Sequence, residues 1–368
     1  MSLILTEIKN NVGFITLNSE KTLNSLNLEM IETLTTTMET WKTSKEVACI
    51  FIQGAGEKAL CAGGDVRSLY DNIIAQRAVD PTQVPQGNFD FFAKEYALNY
   101  AIHTYPKPII VWGHGIVMGG GIGVMVGASH RIVTERSRLA MPEITIGLFP
   151  DVGATWFLNK MPSAYGLYLG LTGARLDAAD CRFLGLADYY IESTAKEQVI
   201  EALLQVTWTS DVHDQLGQIL SDIAADYTVG VSQAAEHEAF VKQFEGVQTL
   251  THFRAILADS VKDSWIEAGV QSFEKGSPSS AYIIFKQLRD GKTYSLEEVF
   301  QTELNLACQC CIHPDFAEGV RALLVDKDQT PKWQPATLEE VTSDWVNSYF
   351  TPLWTRENCV LKNLGKNE

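Results

Sequence analysis

The sequence predicts an α/β protein: repeated strand–strand–helix units followed by a helical region. Three observations lead to it. Across residues 3–191 short apolar stretches alternate with amphipathic ones at fairly even spacing, as ββα repeats do. From Lys196 onward apolar residues recur at helical spacing, for instance over 199–206, 236–244 and 249–256. Between the two patterns an apolar run, Ile109 to Trp112, enters the stretch 113–151, GHGIVMGGGIGVMVGASHRIVTERSRLAMPEITIGLFPD. That stretch carries a triple glycine (Gly119 to Gly121), a segment of small apolar residues, and two Pro-marked turns holding Glu143 and Asp151.

Taken in order, residues 3–7 and 12–17 read as strands joined by a turn containing Asn10 and Asn11. A helix follows from Asn27, whose side chain can cap it, with Ile31, Leu34, Met38 and Trp41 on its apolar face. Residues 47–52 are continuously apolar, as expected of a strand covered on both faces. Residues 54–64 form a loop that carries CAGGD (Cys61 to Asp65), and Asp65 can cap a helix over 66–75. An exposed insertion at 80–87 precedes a helix over 89–105 that Pro106 and Pro108 end. Further short strands are expected at 131–134, 139–140 and 188–191. The division falls near residue 205: 1–205 as the ββα core and 206–368 as a mostly helical C-terminal region.

The 368 residues suffice for a large core, and 46% hydrophobic with 20% charged residues is ordinary globular composition. With 29 Lys+Arg against 45 Asp+Glu the net charge is −16, which argues against nucleic acid or an anionic membrane as partner. It leaves room for an anionic ligand in a local basic pocket. Seven cysteines cannot all pair with one another, so reduced thiols and a cytoplasmic location are expected. Cys308, Cys310, Cys311 and His313 lack paired CxxC spacing and sit among Leu306, Ala307 and Ile312, so a buried helix is expected there and no metal. Residues 1–17 show no basic segment followed by an apolar one, so no signal or transit peptide is expected. No apolar run approaches the ~20 residues of a membrane span.

The glycine turn brings backbone close to a ligand, and free N–H groups at a helix start attract negative charge. A rival reading is a dinucleotide fingerprint, with Gly121, Gly123 and Gly127 followed by Glu143, 20 residues after Gly123. Against it stand the motif's depth in the chain, the Met-Pro-Glu turn holding the acid, and the ββα order around it. CAGGD supplies a second glycine turn, and two backbone N–H groups converging on one carbonyl oxygen are what an oxyanion hole requires. Glu143, beside Met141, Ile144, Ile146, Leu148 and Phe149, is expected to have a raised pKa and so to serve as base or nucleophile near neutral pH. A solvated turn residue is the plain alternative. Asp151 could equally be the N-cap of a helix over 152–160. No GxSxG or HExxH occurs, and the seven histidines are scattered, with a structural role expected for His114.

CAGGD, HGIVMGGGIG (114–123) and AMPEITIGLFPDVGA (140–154) together resemble the crotonase, or enoyl-CoA hydratase/isomerase, superfamily. EGVRALLVDKDQTPKW (318–333) extends the likeness to the 3-hydroxyisobutyryl-CoA hydrolase branch and to nearly the whole chain. The resemblance implies a crotonase-like spiral of ββα repeats with acyl-CoA thioesters as ligands. No separate cofactor is implied, since CoA is part of the substrate. Carried over, the oxyanion hole falls on the amides of Gly64 and Gly120, and the adenine end of CoA near Leu26, Ala62 and Asp65. Glu95, in KEYALNY, matches an acyl-pocket position, while Glu143 and Asp151 match two acidic catalytic positions. Hydratases of the superfamily carry a glutamate where this chain has Gly123 and usually glycine where it has Asp151, so the acidic pair has moved. Ala154-Thr155 stands where the branch more often has glycine. Hydrolysis of a short 3-hydroxyacyl-CoA is therefore the expected reaction. Enoyl-CoA hydration or isomerisation and non-catalytic CoA binding are the alternatives. The oligomeric state is left open.

Overall fold

A computed structural model describes residues 2–260 and 263–366. Nine strands form among the described residues: β1 (Ile4–Lys9), β2 (Val12–Leu17), β3 (Cys49–Gly54), β4 (Ala59–Cys61), β5 (Ile109–Gly113), β6 (Ile116–Met118), β7 (His130–Val133), β8 (Arg138–Ala140) and β9 (Tyr189–Tyr190). The first two make a hairpin because Asn10 and Asn11 both accept positive φ, 44° and 62°, as the tight hairpin turn demands.

Six strands build one sheet in the order β1-β2-β3-β5-β7-β9, and three build a second in the order β4-β6-β8. Beyond the antiparallel β1–β2 pair, the larger sheet is parallel. From β3 onward successive strands alternate between the sheets. After the β1–β2 hairpin, each ββα repeat thus divides its two strands between sheets, and its strands pair with counterparts in other repeats. The reason is visible between β5 and β6, where only His114 and Gly115 intervene, with Gly115 at φ 60°. That link is far too short for a parallel crossover within one sheet.

Clustering of contacts along the chain defines two units that are not consecutive in sequence. The first comprises Met1–Gly64, Leu98–Leu139 and Arg175–Glu236; the second comprises Asp65–Ala97, Ala140–Ala174 and His237–Glu368. In the first, alternate residues of the large sheet (Val12, Phe14, Cys49, Phe51, Ile110, Trp112) face Val199, Leu203, Leu216 and Leu220 of the helices Lys196–Leu204 and Val212–Ala224. Ile50, Ile52 and Val111, on the other face, are buried too, so these strands are continuously apolar. The helix Leu28–Thr43 starts where the Asn27 side chain accepts the Met30 amide at 2.9 Å.

The second unit is helical. Its aromatic core joins Tyr168 to Trp265 and Phe244, and Phe244 to Phe253 at a centroid separation of 4.5 Å. The helix Val66–Arg77 is capped by Asp65, whose Oδ1 accepts the Ser68 amide. No helix among the described residues is long and apolar enough to cross a membrane.

Candidate active site

Within the first unit the two glycine turns lie side by side. Leu26 donates its amide to the Gly63 carbonyl at 2.8 Å, and Ala62 donates to the Leu23 carbonyl at 3.0 Å, which holds the CAGGD loop along residues 23–26. Gly63 has φ 109°, and a Cβ there would stand 3.4 Å from the Met118 carbonyl and 3.9 Å from the Gly120 nitrogen. Gly120 opens the helix Gly120–Val126, where first-turn amides have no intrahelical acceptor. A Cβ at Gly121 would overlap the Cys61 carbonyl oxygen, so this glycine is required for the helix start to touch β4. Gly123 is buried inside that helix.

The carboxylates belong to the second unit. Glu95 (2% exposed), Glu143 (5%), Asp151 (5%) and Glu303 (0%) are all withdrawn from water, against the usual fate of acids. Glu95 comes from the helix Gln86–His103, Glu143 from the 3-10 turn Glu143–Ile146, and Glu303 from the helix Leu296–Ile312. Asp151 lies in the loop before the helix Ala154–Asn159. It is not the side-chain cap that a helix over 152–160 would use: Gly153 takes the N-cap position, and Asp151 contributes its backbone carbonyl to the Ala154 amide at 2.9 Å. Its carboxylate instead accepts the Tyr96 hydroxyl at 2.7 Å. Glu303 accepts the amides of Gly153 and Thr155 at 2.7 and 2.9 Å and the Thr155 hydroxyl at 2.7 Å.

Burial dominates the electrostatics. It lifts Glu95 and Glu143 well above the usual carboxylate range, and the nearby Asp151 charge lifts both further. Asp151 is raised by burial to about 6, held back by the Tyr96 hydroxyl. Burial pushes Glu303 up to about 8, although its bonds from Thr155 and Gly153 pull the other way. Among the described residues, Glu95 Oε1 and Glu143 Oε2 have no hydrogen-bond partner. A buried polar atom left so costs about 1–3 kcal/mol, and such atoms mark places where a ligand or water completes the set. Val152, at φ 53°, is a second cost at this site: a β-branched residue held left-handed is strained by about 1–3 kcal/mol.

Tyr96 and Glu303 were not singled out from sequence. Tyr96 neighbours Glu95, and that adjacency alone says nothing. Glu303 left a signal: it follows Val299 and precedes Ala307 at four-residue spacing, an acid set in a buried apolar stripe. The cysteine-rich helix behaves otherwise. Cys308, Cys310 and Cys311 are buried free thiols, and the ring nitrogens of His313 bond the Gln309 carbonyl and Ser348 Oγ, each at 2.8 Å. No cluster of potential metal ligands occurs among the described residues. His114 bonds the Gly56 carbonyl at 3.0 Å, a structural use of the ring.

A ββα spiral with paired glycine turns and buried acids defines a class, and comparison with known families agrees. The family described as enoyl-CoA hydratase/isomerase matches residues 12–350, and the chain belongs to it. Its curated relatives narrow the branch. A protein of Xenopus tropicalis named mitochondrial 3-hydroxyisobutyryl-CoA hydrolase is 40% identical over 93% of this chain and 86% of its own. The human protein of that name is 36% identical over 95% and 89%. Among solved structures, a carnitinyl-CoA dehydratase from Mycobacterium thermoresistibile aligns with TM-score 0.85 at 32% identity, covering 96% of this chain and 97% of its own. An enoyl-CoA hydratase from Rhodobacter sphaeroides aligns at 0.83 and 29% identity, covering 96% and 98%. The relatives correct one expectation. They are named mitochondrial, which overturns the cytoplasmic location. Cysteine usage separates oxidising from reducing compartments, and it cannot choose among the reducing ones.

Proposed function

We propose that the chain hydrolyses 3-hydroxyisobutyryl-CoA to 3-hydroxyisobutyrate and CoA, a step of valine catabolism, in the mitochondrial setting its relatives' names indicate. The observation that carries the reading is the buried acid pair, Glu143 with one oxygen unpartnered and Asp151 held by Tyr96. Gly123 supports it against hydration, because a carboxylate at that helix position is what hydratases of the superfamily use.

The thioester carbonyl oxygen is received by the amides of Gly64 and Gly120, each such donor being typically worth about 10²–10³ in rate. Glu143 brings the new oxygen to the carbonyl carbon. As base it takes a proton from water, whose oxygen bonds the carbon; as nucleophile its own oxygen bonds first and water then cleaves the mixed anhydride. In either route the tetrahedral oxyanion collapses, the C–S bond breaks with its electron pair on sulfur, and CoA leaves as thiolate to be protonated. Asp151 accepts the substrate's 3-hydroxyl, and Glu95 completes that polar pocket. The adenine end of CoA is assigned to Leu26, Ala62 and Asp65. A buried carboxylate left without its hydroxyl partner is the source of preference for the 3-hydroxyacyl chain.

The deciding assay is release of free thiol from 3-hydroxyisobutyryl-CoA by the native chain and by Glu143→Gln. The native chain turns over, and the variant loses at least about 10²-fold in kcat. Near-native turnover by the variant would remove Glu143 from the mechanism. Loss of the enoyl absorbance of crotonyl-CoA without thiol release would favour hydration, and CoA binding without any turnover a non-catalytic role. Label entering Glu143 in a single turnover in ¹⁸O water reports a mixed anhydride cleaved by water at the Glu143 carbonyl carbon, since the general-base route puts the label only in the product acid.

A further inference from the structure

The loop that carries Asp151 is held by a carboxylate to which the mechanism above assigns no step. Residues 150–153 pass through two consecutive left-handed positions, Val152 at φ 53° and Gly153 at φ 90°. A β-branched residue persists in that conformation only where its surroundings hold it. Glu303 and Gln287 do so. Glu303 Oε2 accepts the Gly153 amide at 2.7 Å, while its Oε1 accepts the Thr155 amide at 2.9 Å and the Thr155 hydroxyl at 2.7 Å. Gln287 Nε2 donates to the Pro150 carbonyl at 2.9 Å and to the Thr155 hydroxyl oxygen at 2.6 Å. The backbone is thus fixed immediately before Asp151 and two residues after it. All three side chains are buried, so water does not compete for these bonds.

The chemistry at this spot asks for an acid. Four donors converge on two oxygens, Gln287 Nε2 being the fourth at 3.5 Å, and a carboxylate is the side chain that only accepts. A glutamine of the same size would turn an NH₂ group towards at least one N–H. The same network accounts for Thr155: its hydroxyl joins Glu303 to Gln287.

We propose that Glu303 is a positioning residue for the thioesterase reaction: by holding Gly153 and Thr155 it sets the 150–153 backbone so that the Asp151 carboxylate meets the substrate's 3-hydroxyl. This rests on the assignment of the 3-hydroxyl to Asp151, and the experiment separates the two claims. Glu303→Gln, Thr155→Ala, Asp151→Asn and the two doubles with Asp151→Asn are assayed by thiol release on 3-hydroxyisobutyryl-CoA and on isobutyryl-CoA, which lacks the hydroxyl. Both substrates are read on one preparation, so the ratio of their kcat/KM values is independent of the fraction of folded enzyme. Glu303→Gln lowers that ratio by about tenfold or more, within the range a misplacement of about 1 Å produces. Thr155→Ala lowers it less, in the same direction, and neither change lowers it further once Asp151 is Asn. A ratio unchanged in Glu303→Gln while Asp151→Asn lowers it overturns the proposal, as does a loss that multiplies in the double variant; Glu303 then serves the fold alone. A native ratio in Asp151→Asn itself overturns the assignment of the 3-hydroxyl, and the positioning role falls with it. If Glu303→Gln shows no cooperative melting, Thr155→Ala decides by the same criteria.

Discussion

A buried carboxylate can serve a hydrolase only if something manages its charge, and Glu95, Glu143, Asp151 and Glu303 are managed differently. Asp151 receives a hydroxyl from Tyr96 at 2.7 Å and stands at about 6. That bond favours the anion, so Tyr96→Phe raises the Asp151 pKa further. The acidic limb of the kcat/KM profile then moves to higher pH by about one unit, the equivalent of a hydrogen bond to a charged group of about 1.5 kcal/mol. Activity at pH 6 falls relative to that at pH 8. A profile that superimposes on the native one would show that Asp151 ionisation does not govern the rate. Glu143 has no such donor on Oε2, and burial together with the nearby Asp151 charge raises it well above the carboxylate range, which suits the base role proposed for it.

At the scale of elements the informative contrast is between two helical glycines of the first unit. Gly121 lies against the Cys61 carbonyl oxygen, and backbone cannot step aside for a Cβ. Gly121→Ala therefore lifts the start of the helix Gly120–Val126 from β4, costs about 1–3 kcal/mol by overpacking, and displaces the Gly120 amide. Gly217, inside the helix Val212–Ala224, has only the Tyr189 hydroxyl near its Cβ position, at 3.9 Å. Gly217→Ala stabilises by about 0.5–1 kcal/mol through helix propensity. Urea unfolding of both variants checks the pair, and thiol release falls with the first and not with the second. Equal stability changes, or a stabilising Gly121→Ala, would contradict the packing described for Gly121.

For the whole molecule, the buried acids set how stability varies with pH. Glu95, raised well above the carboxylate range by burial and by the Asp151 charge, holds a proton in the folded chain that the unfolded chain has released. Stability from such a group is present at low pH and is lost as pH rises through the raised value. Glu143, also raised, acts in the same sense. His114, His130 and His313 are pushed below 6.5 by burial and act oppositely, but their effect ends by about pH 7. Asp328, held at about 2, is ionised in both states by then. From pH 7 to 8 the chain therefore loses stability. The melting temperature by calorimetry falls across that interval; an increase would contradict the burial of these acids.

Much of this protein could be read from residues a few positions apart. The Asn10-Asn11 turn, the Asn27 and Asp65 caps, the continuous apolar strand before Gly54 and the glycine turns at 61–64 and 119–121 depend on local dihedral preference and local hydrogen bonds. Near neighbours suffice to specify them. The apolar company of Glu143 likewise announced a buried acid. Strand pairing was beyond such reading, since the alternation of β3 to β9 between two sheets follows from which distant strands meet. So was the task of Asp151: a local rule offers it a helix cap, and a tyrosine from another helix takes its carboxylate instead. Glu303 showed only as an acid in an apolar stripe until folding brought Gly153 and Thr155 to it. The sequence by itself determined most of the strands, helices and turns, because those rest on short-range sterics and patterning. Tertiary structure alone decided which buried oxygen meets which donor, because a hydrogen bond in the interior depends on distances that no local spacing sets.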